Sequence, residues 1–163
     1  MTDISAQFRV AMRRVASTVN VLTATVDGVP VGMTATAFAS LAADPPSLLV
    51  CVNQSASFHD PLTRAKHFCV NVLHTDQVEI ARTFSDSRLR DVRFATGGWR
   101  YDAAGAPYLP DAQAVLICER TELIGFATHS ICIGTVVSIR MREEIDPLLY
   151  VDGAFHAVAE SRL

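Results

Sequence analysis

The dipeptide Asp27-Gly28, set between two runs of β-branched and small residues, constrains this chain more than any other feature. Asp-Gly readily takes the positive φ angles of a tight primed turn, so the runs on either side are predicted to pair as antiparallel strands. Before the turn, Val19 and Val21 alternate with Thr18 and Asn20, and β-branched residues continue to Val26. After it, a strand is predicted from Val29 to about Phe38. Asp44-Pro45-Pro46 then forces a break before an apolar strand over Ser47 to Val52.

Elsewhere the pattern is helical only in short pieces. Ile4, Phe8, Ala11, Met12 and Val15 recur at helical spacing with Arg9, Arg13 and Arg14 opposite them, which predicts an amphipathic helix over Ile4 to Val15. The polar loop Asn53 to Asp60 ends with Ser57 placed to cap a helix, Asp60 three residues on and Pro61 in the first turn. That helix runs to about Lys66 and a strand follows from Phe68 to Leu73. Thr75 is placed to cap a second helix carrying Val78, Ile80, Ala81 and Phe84. Ser85 to Pro110, rich in Arg, Asp, Gly and Pro, reads as a long loop, and long loops in compact domains are usually functional or disordered. Two strand-like runs, Ala112 to Gly125 and Ser130 to Met141, predict a second hairpin around Gly125 to His129. Many short strands and few helices give a mainly β fold, a barrel with helices at its edges.

Length and charge narrow the function classes. With 163 residues, half of them hydrophobic, the chain is expected to form one domain over residues 1–163. A net charge of −3 with scattered arginines leaves no basic stripe for nucleic acid. The stretch Met1 to Phe8 lacks the basic start and apolar run of a secretory signal, and no run approaches the roughly 20 apolar residues of a membrane helix. The expected place is the cytoplasm. Cys51, Cys69, Cys118 and Cys132 stand singly in apolar runs without metal-ligand spacing and read as buried reduced thiols; no metal site is expected. Neither G-x-G-x-x-G, a Walker loop, G-x-S-x-G nor His-Glu-x-x-His occurs. For an enzyme, so thin a menu points to an organic cofactor that carries the reactivity.

Gly32-Met33-Thr34-Ala35-Thr36-Ala37-Phe38 followed by Asp44-Pro45-Pro46 resembles the flavin-reductase-like family of FMN-binding split barrels, which includes reductase components of two-component monooxygenases. The resemblance continues through Asn53-Gln54-Ser55-Ala56-Ser57 and Phe68-Cys69-Val70-Asn71-Val72-Leu73. Arg93-Phe94, Trp99, Gly105 to Leu109, Cys118-Glu119 and Pro147 to Tyr150 extend it over about residues 8 to 158. One departure stands out: where the family has Gly-Asp-His, this chain has Ala127-Thr128-His129.

The resemblance implies a Greek-key-like split β-barrel that binds FMN or FAD, uses NADH or NADPH, and forms a homodimer that supplies reduced flavin to a monooxygenase. It implies that Thr34, Ala35, Thr36 and Ala37 lie against the flavin ring. Asn53, Gln54, Ser55, Ser57 and Phe58 would meet the phosphate, helped by the helix start beyond them. His129 would act at the nicotinamide, and Tyr150 would border the same cavity. Read alone, Thr34 to Ala37 is an ordinary strand and Ser57 a plain cap. Related barrels leave two other readings open: a pyridoxamine-phosphate-oxidase-like oxidoreductase, and a flavin- or haem-binding module without turnover.

Overall fold

The computed structural model describes residues 3–158. Helix α1 (Ile4–Met12) precedes β1 (Ser17–Thr18), β2 (Asn20–Val26), β3 (Val29–Ala35), β4 (Phe38–Ala43) and β5 (Pro46–Asn53). Helix α2 (His59–Arg64), β6 (His67–Val72) and α3 (Val78–Ser85) follow. The rest comprises β7 (Arg100–Tyr101), β8 (Pro107–Tyr108), β9 (Ala114–Phe126), β10 (His129–Met141), β11 (Leu149–Val151) and β12 (Ala154–His156).

Seven strands form one antiparallel sheet in the order β3-β2-β6-β9-β10-β5-β4. β3 and β4 lie at opposite edges of it, yet only Thr36 and Ala37 separate them in the chain. Three residue steps reach at most about 11 Å, so the sheet must curl until its edges meet at this link. The Cys51 N–H donates to the Ala37 carbonyl at 3.0 Å and holds the link against β5. The mainly β expectation therefore holds, with the predicted Val29–Phe38 strand broken where the chain steps from one edge to the other.

The turns have a local cause. Asp27 and Gly28 take φ of 53° and 76°, the pair of positive angles a primed turn needs. In the second hairpin His129 pairs with Phe126 across a two-residue turn, and Ala127 takes φ of 49° at a cost of about 1 kcal/mol for a side chain with a Cβ.

The central strands bury both faces. In β2, Leu22 and Ala24 pack inside the curl with Val50, Val52, Phe58, Leu62 and Phe68. The preceding Val21 packs outside with Val19, Leu73, Phe84, Leu109 and Ile117, beneath α3 and the long loop. A strand's two-residue period thus feeds two cores at once. The long loop is ordered. Phe84, Phe94 and Trp99 meet with ring centroids 5.1–5.2 Å apart. The buried Asn71 amide donates to the Val21 carbonyl at 3.0 Å and accepts from the Leu109 N–H at 2.8 Å, tying the loop's end to the sheet. Leaving such buried groups unpaired would cost about 1–3 kcal/mol.

Several local expectations are corrected. α1 ends at Met12 rather than Val15, and none of its residues is buried. Ser57 does not cap α2: the helix starts two residues later, Phe58 occupies the cap position, and no side chain bonds there. His74, not Thr75, caps the turn before α3, its Nδ1 accepting from the Asp76 N–H while Gln77 reaches back to the His74 N–H. The pairing of β11 with β1 and β12 near the end of the chain had no signal in hydrophobic period. Of the four free thiols, Cys51 is only half-buried.

Candidate functional site: two cavities along one strand

Beyond the end of β3 lies a cavity of 480 Å³. Met33, Thr34 and Ala35 of β3 and the link Thr36-Ala37 form one wall. Cys51 and Asn53 of β5, His129 of β10 and Tyr150 of β11 form others. The register explains the meeting, because His129 pairs directly with Asn53 and Asn20 pairs with Ala35. Among the described residues, no Asp, Glu, Lys or Arg lines this cavity. The Thr34 hydroxyl is already engaged, donating to the Ala81 carbonyl of α3 at 2.7 Å. What the wall offers is small side chains, main-chain polar groups and one imidazole.

At the start of the same strand lies a second cavity, of 510 Å³, walled by Val29 to Gly32, Ser57, Phe58, Pro61, Arg90, Asp91, Arg93 and Phe94. Arg93 is 6% exposed. It donates from Nη1 to the Gly32 carbonyl at 2.7 Å and from Nη2 to the Asp86 carbonyl at 3.1 Å, while its Nε has no partner. Burial, then the neighbouring Arg90, pushes this guanidinium down from its usual value. Arg88 holds the Asp86 carboxyl down at about 2 through a side-chain hydrogen bond, so Asp86 is spent on its neighbour. Of the two arginines, Arg90 is exposed and its guanidinium has no hydrogen-bond or ion-pair partner among the described residues, which makes it the group here suited to an anion.

The sequence profile of the flavin reductase like domain matches residues 12–159. The chain belongs to the flavin-reductase-like family. It is 39% identical over 162 residues to the reductase component of the FADH(2)-dependent resorcinol hydroxylase of Rhizobium sp. (strain MTP-10005), covering 98% of this chain and 90% of that protein. It is 37% identical over 149 residues to the FMN reductase (NADH) RutF of Pseudomonas syringae pv. syringae (strain B728a), covering 91% and 84%. Among solved structures, the NADH:FAD oxidoreductase SgcE6 of Streptomyces globisporus C-1027, in complex with NAD and FAD fragments, superposes with a TM-score of 0.89 at 31% identity, covering 96% and 93%.

Within this flavin-reductase-like fold the residues singled out from sequence divide three ways. Thr34, Ala35, Thr36, Ala37, Asn53, His129 and Tyr150 come together in the uncharged cavity. Ser57 and Phe58 line the arginine cavity. Gln54 and Ser55 line neither. The Asn53 carboxamide oxygen accepts from both the Ser55 N–H at 2.9 Å and its hydroxyl at 2.8 Å, which closes the loop on itself. Gln54 ties the loop to the second hairpin, its N–H donating to the Thr128 carbonyl at 2.9 Å and its Nε2 to the His129 carbonyl at 3.1 Å.

Sequence reasoning missed Cys51, Arg90 and the use of Arg93. For Cys51 a signal existed: Leu48, Val50 and Val52 are buried, so Cys51 must share the other face with Asn53. For Arg93 the resemblance marked Arg93-Phe94 as a landmark without giving it a use; for Arg90, on a 3-10 turn over Ser87–Val92, hydrophobic spacing gave none.

Proposed function

We propose that this chain is a single-domain NAD(P)H-dependent flavin reductase, spanning residues 1–163, that reduces FMN or FAD for a partner monooxygenase. The observation that carries the reading is the pairing of an uncharged, small-residue cavity with an arginine cavity along one strand. Their middles, near Val31 and Ala35, are four residues apart, about 13 Å at the rise of a strand. That separation suits one flavin nucleotide, with its ring at the neutral end and its phosphate at the charged end. The relatives named for FMN or FAD reduction support it.

When bound, the flavin would accept hydride at its N5 from C4 of a reduced nicotinamide, chemistry that needs alignment and exclusion of water rather than a strong acid or base. The chain's residues supply the alignment. Ala35 and Ala37 keep the wall thin so that ring and backbone approach, and Arg90, Arg93 and Ser57 receive the phosphate. His129 donates a hydrogen bond to the nicotinamide from the far wall. Asn53 and Tyr150 narrow the mouth of the same cavity.

The active form is a homodimer. Phe8 and Met12 of α1, Phe126 at the hairpin tip and Met141 are all exposed, apolar side chains available to an interface between two copies. No helix among the described residues is long and apolar enough to cross a membrane, and the cytoplasm is the proposed location. Light scattering coupled to size exclusion tests the dimer.

Anaerobic addition of NADH or NADPH to the chain mixed with FMN or FAD tests the function. Bleaching of the flavin absorbance at a rate set by the protein is expected. A chain that binds flavin but leaves it oxidised would fit a non-catalytic flavin-binding module instead.

A further inference from the structure

We propose that Thr128 is the positioning residue for His129, holding the imidazole so that Nε2 carries the proton and is presented to the nicotinamide. The inference rests on the role given to His129 above.

Thr128 Oγ1 lies 2.9 Å from His129 Nδ1. Neither Oγ1 nor His129 Nε2 has another hydrogen-bond partner among the described residues. The main chain of the pair is held from outside: Gln54 bonds both carbonyls, and His129 is registered against Asn53. Rotation of the imidazole is then the freedom that remains, and the Thr128 hydroxyl restrains it. This also gives Gln54, which lines neither cavity, a reason to be where it is.

A hydroxyl differs from a carboxylate in what it does for a histidine. It donates to Nδ1 of the neutral ring and, by turning, accepts from Nδ1–H of the charged one. A carboxylate only accepts and favours the charged ring. Among the described residues, the other titratable groups in the cavity are Cys51, from β5, and Tyr150, from β11, and no charged side chain lines it. Thr128 thus serves the ring in either form, and when it donates to Nδ1 it leaves Nε2 as the donor presented to the cavity.

The test combines spectroscopy on the ligand-free chain with kinetics. Long-range proton–nitrogen correlation is expected to show His129 as the Nε2–H tautomer in the wild type and as a mixture in Thr128→Val. Thr128→Val should raise the KM for NADH about fivefold, with kcat and flavin affinity unchanged. Thr128→Ser should restore both tautomer and KM. A wild-type ring in the Nδ1–H tautomer, or a Thr128→Val chain with unchanged tautomer and KM, overturns the proposal. His129→Ala separates the two layers. If it leaves KM unchanged, the nicotinamide role falls and this proposal with it; if it raises KM while Thr128→Val does not, only the positioning role falls.

Discussion

At its start β3 borders a cavity with Arg90, Arg93 and Asp91; past its end, the cavity it borders has no charged side chain among the described residues. The covering elements account for the difference. The charged cavity is roofed by the 85–110 loop, whose backbone and aromatic trio can bury a guanidinium against main-chain carbonyls. The neutral cavity is walled by strand ends in register and by the Thr36-Ala37 link, and the side chains they present to it are uncharged. A nucleotide has the same asymmetry, one flat uncharged end and one anionic end, and β3 spans the two.

Four substitutions or probes would break or sharpen this contrast. Ala37→Phe should have the largest effect. It fills the neutral cavity from an exposed position on the link, so FMN and riboflavin should both lose about hundredfold in affinity while the circular dichroism spectrum is kept. Equal binding by wild type and variant would remove the ring from this cavity.

Gly32→Ala acts at the boundary. A Cβ there would come within 2.8 Å of the Leu22 carbonyl oxygen and of the Phe84 ring, and Gly32 also supplies the carbonyl that holds Arg93. A stability loss of about 1–3 kcal/mol is expected by denaturant titration. No loss would mean that the close packing of strand and helix is not what requires glycine.

Arg90→Ala should discriminate between ligands. FMN affinity should fall about tenfold and riboflavin affinity should not change, because only FMN carries the phosphate. A parallel loss for riboflavin would mean that Arg90 shapes the fold rather than the anion site.

Thiol labelling should give the smallest and most local effect. Burial pushes Cys118 up to about 12 and Cys132 to about 11, and it raises Cys69 as well, so these three should stay inert in the folded chain. Cys51 lines the neutral cavity and should react first with a maleimide, more slowly when riboflavin is present. Inorganic phosphate should give no protection, since its cavity is the other one.

Legibility in the sequence follows the same divide. Asp27-Gly28 and the alternation through β2 placed the first hairpin; Asn53 and His129 fell in predicted loop and turn, just outside the strands of that period, and the family resemblance alone put both at the site. The link at Thr36-Ala37 was not readable, because small residues suit a continuing strand as well as a step between edges. Nor was the start of α2: Ser57 and Asp60 have cap spacing, but the chain uses that stretch for the loop closed by Asn53. Arg90 and Arg93 acquire their setting only from contacts with β3 and Asp86, far off in sequence, and no local pattern encodes that.

The most direct test of the account is a crystal structure of the chain with FMN bound. The account predicts the ring against Thr34 to Ala37, with His129 across the cavity, and the phosphate in hydrogen-bonding reach of Arg90, Arg93 or Ser57. A flavin whose phosphate leaves toward solvent, or whose ring lies under Arg93, would contradict it.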